Sequence, residues 1–160
     1  MLNLIACIDK YNSLGINNNL IYHFKEDIKI FKEKTLNNIV VMGRKTFESL
    51  NSSPLPNRKN IIVSTTLQNP SNNSYEVIRD INEILNLSKN KNVFIIGGKQ
   101  LYEYFNPYYD KIHLTYVKDE FTKNYDKNSS IKLSINLHNF ILSSSKDFEK
   151  FYINVYKNHP

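Results

Sequence analysis

The chain has a single cysteine, Cys7, in 160 residues, so it can form no internal disulfide. Its place in an apolar stretch marks Cys7 as a small packed residue and not a nucleophile, and a reducing compartment such as the cytoplasm suits it. Long hydrophobic runs are missing too. The longest, Ile39 to Met42 and Val93 to Ile96, fall far short of the roughly 20 residues that a membrane-spanning helix needs, so no membrane association is expected. The start, MLNLIACID, lacks a cationic lead and a cleavage-site pattern, and reads as a buried strand. His23, His113, His138 and His159 show no metal-ligand spacing, and no metal is expected. Acidic residues are in deficit, 15 against 21 Lys and Arg, which gives a net charge of +6. The lysines are scattered among asparagines and isoleucines with no interleaved basic and aromatic stripe, so nucleic acid is not the expected partner. A smaller anion is.

A hydrophobic fraction of 41% and an aromatic fraction of 12% are those of a globular protein, and residues 1–160 suffice for one domain with a real core. Leu2 to Ile8 reads as a strand covered on both faces, and Lys10 to Asn19, rich in asparagine, as a loop. A helix is expected over the stretch Leu20 to Thr35, closed by Asn38. Strands are expected at Ile39 to Met42, Asn60 to Ser64, Tyr75 to Ile78, Asn92 to Ile96 and Ile112 to Val117. Short helices are expected after Gly43 through Leu50, from a capping-box-like Asp80 and Glu83 to about Leu87, and from Lys99 to Phe105. Lys118 to Ser130 is polar. Phe140 to Ser144 and Phe148 to Tyr156 read as a hairpin joined near Lys146-Asp147. The alternation predicts an α/β fold: a mixed, mainly parallel twisted sheet with flanking helices and a C-terminal antiparallel hairpin. Ligands of such sheets gather at the carboxyl ends of the strands. There the segments after Ile8, at Arg44, at Ser64-Thr65, at Arg79 and at Gly97-Gly98 converge.

The residue that asks for explanation is Asp27. At helical spacing, Phe24, Ile28, Phe31 and Thr35 share one face and Lys25, Lys29, Glu33 and Glu26 the other. Asp27 projects at the edge of the apolar stripe. A carboxylate there must pair, take up a proton, or face a cleft in which a ligand supplies donors. Gly43-Arg44-Lys45-Thr46, between a strand and a helix, has the chemistry of an anion cradle, and paired glycines at Gly97-Gly98 let a backbone approach a ligand closely.

In combination these residues resemble dihydrofolate reductase. The resemblance runs from Leu2 to about Tyr156, through Leu4-Ile5-Ala6, Leu14-Gly15, Phe24 to Phe31 with Asp27, the stretch VMGRKTFESL from Val41 to Leu50, Pro54-Leu55-Pro56 with Arg58, Ile95-Ile96-Gly97-Gly98 with Leu101-Tyr102, and Leu114-Thr115. It implies hydride transfer from NADPH to 7,8-dihydrofolate, giving tetrahydrofolate, by a monomer that antifolates would inhibit. By the same resemblance Asp27 is the acid that holds the pterin. Thr115 partners it, while Ile5, Ile28, Phe31, Leu50, Leu55 and Ile96, with Tyr102, line the substrate cleft. Arg58 clamps the substrate's glutamate carboxylate. For the cofactor, Arg44, Ser64, Thr65 and Arg79 match the group around the 2′-phosphate. Gly43, Lys45, Thr46 and the stretch Gly97, Gly98, Lys99, Gln100 and Leu101 match the pyrophosphate side. Ala6, Cys7, Leu14 and Gly15 match the nicotinamide side. The resemblance also implies a cis peptide at Gly97-Gly98.

Two departures stand out. Ile21-Tyr22 replaces the proline and tryptophan usual in the family, with Tyr22 keeping a donor and an aromatic face for the catalytic position. Lys123-Asn124-Tyr125 replaces the Gly-Asp-Thr stretch that braces the loop over the nicotinamide. The alternatives are the riboflavin-pathway reductase of the same fold, which lacks the pairing of Asp27 with Arg58, and a non-catalytic cationic binding module.

Overall fold

The apolar runs become strands because both faces of each are covered, as β4 (Ile39–Gly43) shows. Val41 points into a cluster with Leu4, Ile61 and Ile95, whereas Val40 and Met42 point the other way against Phe47, Ile62 and Phe94. All of these are at most 3% exposed, and each contributes roughly 1.5–3 kcal/mol by leaving water. A computed structural model describes residues 1–160. The remaining strands are β1 (Leu2–Ile8), β2 (Ser13–Ile16), β3 (Asn19–Leu20), β5 (Lys59–Val63), β6 (Glu76–Ile78), β7 (Val93–Gly97), β8 (Lys111–Val117), β9 (Ile131–Lys132), β10 (Phe140–Asp147) and β11 (Phe151–Asn158). The helices are α1 (Lys25–Thr35), α2 (Arg44–Ser49), α3 (Asn82–Ser88) and α4 (Lys99–Tyr104).

Eight strands form one sheet in the order β10-β11-β8-β1-β7-β4-β5-β6. Its pairings are parallel from β8 across to β6, while β11 runs against both β8 and β10. The chain leaves β1 for β4, steps outward to β5 and β6, then returns to insert β7 between β4 and β1. The order therefore reverses beside β1 and β7, which opens a crevice at their carboxyl ends.

The structure corrects the expectation at several boundaries. Lys10 to Asn19 is not a plain loop: β2 and β3 pair within it, Gly15 with Leu20 and Ile16 with Asn19, and β2 also pairs with β9. Asn17 and Asn18 turn this hairpin at φ 52° and 60°, a left-handed conformation that asparagine tolerates. Gly15 is required there, since a Cβ would lie 2.6 Å from the Asn19 carbonyl oxygen. Helix α1 begins at Lys25 and not at Leu20, which pairs in β3, and it ends at Thr35, two residues before Asn37 turns left-handed at φ 61°. At α3 no capping box forms. The Asp80 carboxylate takes the Asn82 amide at 3.0 Å and its carbonyl takes the Glu83 amide at 3.1 Å, so the helix begins only at Asn82. The C-terminal hairpin turns through Phe148, Glu149 and Lys150, beyond the expected Lys146-Asp147, and carries a bulge between Leu142 and Ser144. The stripe of α1 faces an open cleft more than the core: Thr35 is buried, but Ile28 is 52% exposed.

Candidate active site

Asp27 sits in the first turn of α1, whose N-terminus has no side-chain cap. Thr115, buried on the central strand β8, donates from Oγ1 to Asp27 Oδ1 at 2.6 Å and is the only protein hydrogen-bond donor to that carboxylate. Burial pushes the Asp27 carboxyl above the usual carboxylate range, while the Thr115 hydroxyl and the Lys34 ammonium act against that push. Lys34 Nζ in turn lies 3.1 Å from His113 Nδ1, two residues before Thr115 on the same face of β8. Burial first, then Lys34 and Lys111, hold His113 down to about 3, so it accepts from Lys34 as a neutral ring. The acid has one satisfied oxygen and faces a cleft.

The floor of that cleft is apolar. Ile5, Leu50, Leu55 and Ile96, each half-buried, pack around the same cluster of Val40, Met42, Phe47, Ile62 and Phe94. Ile28 and Phe31 lie on α1, exposed and half-exposed respectively. Asn60 is buried and clamps Leu55 on both sides, accepting its amide and donating to its carbonyl at 2.9 Å each. This fixes the Pro54-Leu55-Pro56 rim. Arg58 then reaches back to α1: Nη1 donates to Thr35 Oγ1 at 3.2 Å and Nε to the Pro56 carbonyl at 2.9 Å. Tyr102 stands one layer behind the position expected of a lining residue. It is buried, and its phenol donates to the Ile5 carbonyl at 2.8 Å, bracing β1 from within.

The anion-binding candidates gather at the carboxyl ends of β4, β5, β6 and β7. The amides that open α2 and α4 carry no side-chain cap, their preceding residues being Gly43 and Gly98. The two starts touch through Thr46. A Cβ on Gly97 would meet Thr46 Oγ1 at 3.0 Å, and Gly97 sits at φ 140°, where side chains strain the backbone. The Gly97-Gly98 peptide is cis. Arg79 donates to the Ser64 and Leu67 carbonyls, both at 3.0 Å, and Arg44 donates to Thr66 Oγ1 at 2.6 Å, so two guanidinium groups flank the 64–67 loop. Ser64 Oγ accepts the Thr66 and Leu67 amides, and Thr65 is exposed. Lys45 and Gln100 are exposed, whereas Lys99 bonds Glu103 and the Lys132 carbonyl and Leu101 is buried. Ala6 and Cys7 lie half-buried on β1, with the Cys7 thiol pushed up by burial and by Asp27 and Asp9, so it is inert. Leu14 and Gly15 lie on β2, with Leu14 buried in the main core beside Leu4 and Ile8 and Gly15 half-buried. No three His, Cys, Asp or Glu side chains meet in a metal-holding group.

Tyr22 departs from its expected place. It is 6% exposed, packs on Phe24 with ring centroids 5.6 Å apart, and spends its phenol on Asp9 Oδ2 at 2.8 Å instead of presenting it to the cleft. Sequence reasoning missed Asp9, which is 3% exposed. An acid at the end of a buried strand, followed by a polar turn ending in Ser13, was the available signal. Its Oδ1 accepts the amides of Tyr11 at 2.9 Å and Ser13 at 3.2 Å, and its Oδ2 also accepts the Tyr125 phenol. Burial alone would raise this carboxyl; the bonds from Tyr125, Tyr22, Ser13 and Tyr11 outweigh it and hold Asp9 below the usual range.

The sequence model of the family described as dihydrofolate reductase matches residues 1–157. Among curated proteins, the dihydrofolate reductase of Ureaplasma parvum serovar 3 is 35% identical over 158 residues, covering 99% of this chain and 97% of that protein. The dihydrofolate reductase of Bacillus subtilis is 37% identical over 122 residues, covering 76% and 71%. Among solved structures, a dihydrofolate reductase from Enterococcus faecalis complexed with NADP(H) and RAB-propyl superposes with a TM-score of 0.86. It is 24% identical, covers 100% of this chain and 97% of its own, and shares the fold. Matched almost end to end by the family model and by a relative of that name, this chain belongs to the dihydrofolate reductase family.

Proposed function

We propose that the chain, acting as a single unit and a monomer in the cytoplasm, reduces 7,8-dihydrofolate to 5,6,7,8-tetrahydrofolate with NADPH and so feeds one-carbon and thymidylate metabolism. The observation that carries this reading is the Asp27 carboxylate, pushed up by burial and held by Thr115 alone, above an apolar floor at the carboxyl ends of a parallel sheet. Such an acid is satisfied by the paired N–H donors of a planar heterocycle, and its charge favours a proton on the ring nitrogen N5 that must receive one. Ile5, Ile28, Phe31, Leu50, Leu55 and Ile96 supply two apolar walls for the flat rings. Arg58, oriented by Thr35, presents a planar fork to a carboxylate at the cleft mouth.

The donor set opposite fits a phosphate-rich dinucleotide. Arg44 and Arg79 beside Ser64 and Thr65 suit a terminal phosphate and favour NADPH over NADH. Lys45, Thr46 and the amides from Gly98 to Leu101 suit the pyrophosphate, where Gly97 leaves no room for a side chain. Ala6, Cys7, Leu14 and Gly15 close around the nicotinamide, and the apolar setting excludes water. When bound, NADPH supplies the hydride. Antifolates that present donors like those of the pterin compete for Asp27.

The test is NADPH oxidation followed by absorbance with dihydrofolate added and NADH as control. Asp27→Asn is expected to lower kcat/KM for dihydrofolate at neutral pH by roughly 10²–10⁴-fold, with NADPH affinity within about twofold of the parent. Equal loss of both, or turnover with NADH as fast as with NADPH, refutes the assignment.

A further inference from the structure

Lys34 is a cation with no anion against it. It is half-buried on α1, forms no ion pair, and its ammonium makes one hydrogen bond, to His113 Nδ1 at 3.1 Å. The His113 ring is buried beside Phe94, with ring centroids 5.8 Å apart, and turns its other nitrogen toward Asn3 Oδ1 at 3.5 Å. Asn3 is buried as well, and its amide nitrogen donates to Asn92 Oδ1 at 2.7 Å and to the Val93 carbonyl at 3.1 Å, which aims Oδ1 at the ring. Because Nδ1 accepts from Lys34, the ring proton sits on Nε2 and faces Asn3. A neutral ring seats the ammonium and cancels none of its charge.

That charge is directed along α1 at Asp27. The two residues are seven apart, two turns along one face and about 10.5 Å at the backbone, and a helical lysine leans toward the N-terminus, where Asp27 stands. One face of β8 carries Thr115, His113 and Lys111 in turn, so acid and cation lie over two rungs, Asp27 on Thr115 and Lys34 on His113. The other titratable groups nearby do not compete. Cys7 on β1 is an inert thiol, Asp9 beyond it is occupied by its own donors, and Arg58 is turned to Thr35 and Pro56. Lys111 ends the row, and Lys25, Glu26, Lys29, Lys32 and Glu33 of α1 are exposed to solvent. We propose that Lys34, seated on the neutral His113 ring, is a positioning residue for the reaction: its ammonium is the fixed counter-charge that sets the pH range in which Asp27 is ionised. The consequence for turnover rests on the reading given above, in which Asp27 serves the pterin; the coupling of the two charges does not. At about 10 Å and an effective dielectric of about 20–40, one unit charge changes the proton affinity of a carboxylate roughly 4–15-fold.

The experiment compares Lys34→Met, which removes the charge at similar length, with Lys34→Arg, which keeps it, in the full chain. Lys29→Met, on the exposed side of the same helix, controls for net charge. Two readouts are taken: the pH dependence of kcat/KM for dihydrofolate, and direct titration of Asp27 by carbon-13 NMR of carboxyl-labelled aspartate, assigned with Asp27→Asn. Lys34→Met is expected to raise the proton affinity of Asp27 roughly 4–15-fold and to move the inflection of the rate profile upward with it. Lys34→Arg and Lys29→Met should leave both within about twofold of the parent. The proposal is overturned if Lys34→Met leaves the Asp27 titration in place, even with a lowered thermal midpoint, since that is a structural role alone. It is equally overturned if Lys34→Arg or Lys29→Met moves the titration as far as Lys34→Met does. A titration that moves while the rate profile stays fixed overturns the role in the reaction. A parent chain that fails to oxidise NADPH with dihydrofolate overturns the proposed function, and the NMR titration still decides the coupling.

Discussion

Replacing Thr115 by valine removes one hydroxyl and almost no volume, which isolates the bond to Asp27. The bond is 2.6 Å long, its donor is 5% exposed, and its acceptor has no other protein donor. A hydrogen bond to a charged group contributes roughly 1.5–3 kcal/mol, and the methyl that replaces the hydroxyl returns about 0.8 kcal/mol by burial. The variant should therefore lose about 1–2 kcal/mol at neutral pH, which for a chain of this length lowers the midpoint by roughly 2–8 °C. Near pH 4 the loss should shrink, because the raised carboxyl is then taking up its proton and the bond becomes a neutral one of about 1 kcal/mol. The same deletion leaves the charged carboxylate without its protein donor, so Asp27 takes up its proton at a higher pH, and the pH below which turnover falls as that charge is lost moves upward. Thermal unfolding at pH 7 and pH 4, with the pH dependence of kcat/KM for dihydrofolate, reads both effects. A variant equally destabilised at the two pH values, with an unmoved rate profile, would refute the coupling between Thr115 and the acid.

Arg58→Lys keeps the charge and loses the planar fork, so KM for dihydrofolate should rise roughly tenfold or more while NADPH affinity stays put; steady-state kinetics and fluorescence titration separate the two. Gly97→Ala forces a side chain into φ 140° and to 3.0 Å from Thr46 Oγ1, costing about 1–3 kcal/mol, with NADPH binding weakened. Thr46→Ala in the same chain should restore part of the lost stability, though not the NADPH affinity, and scanning calorimetry of the pair checks it. Asp9, held below its unfolded value, stabilises the fold above the ordinary carboxylate range, and this contribution fades as pH falls through the depressed value. Asp9→Asn should accordingly shift the urea midpoint downward at pH 7, and by progressively less as the pH is lowered below the ordinary carboxylate range.

What could be read from the sequence follows the range of the forces involved. The strands of the parallel sheet were legible because an apolar run covered on both faces has few other destinies, as Val40, Val41 and Met42 show by packing alternately into two clusters. Asp27 was legible because a carboxylate at the edge of an apolar stripe demands a partner, and Thr115 and an open cleft supply one. The boundaries set by single left-handed asparagines were not. Asn17 and Asn18 close a hairpin where asparagine-rich composition suggests only a loop, and the hairpin takes Leu20 into β3, so that α1 starts five residues later than expected.

Tyr22 shows the limit most clearly. Its chemistry, a donor on an aromatic ring, was legible; its direction was not, because that depends on a carboxylate thirteen residues earlier and a phenol more than a hundred residues later. Long-range polar pairing has no periodicity for a sequence to display. A buried acid nonetheless selects its donors by free energy: an ionised Asp9 left with only the Tyr11 and Ser13 amides would keep one oxygen unsatisfied in the interior, at a cost of at least 1–3 kcal/mol. That cost turns Tyr22 inward. The cleft is thereby left with Asp27 as its single acid, and the hairpin over it is tied to the strand that supplies the floor.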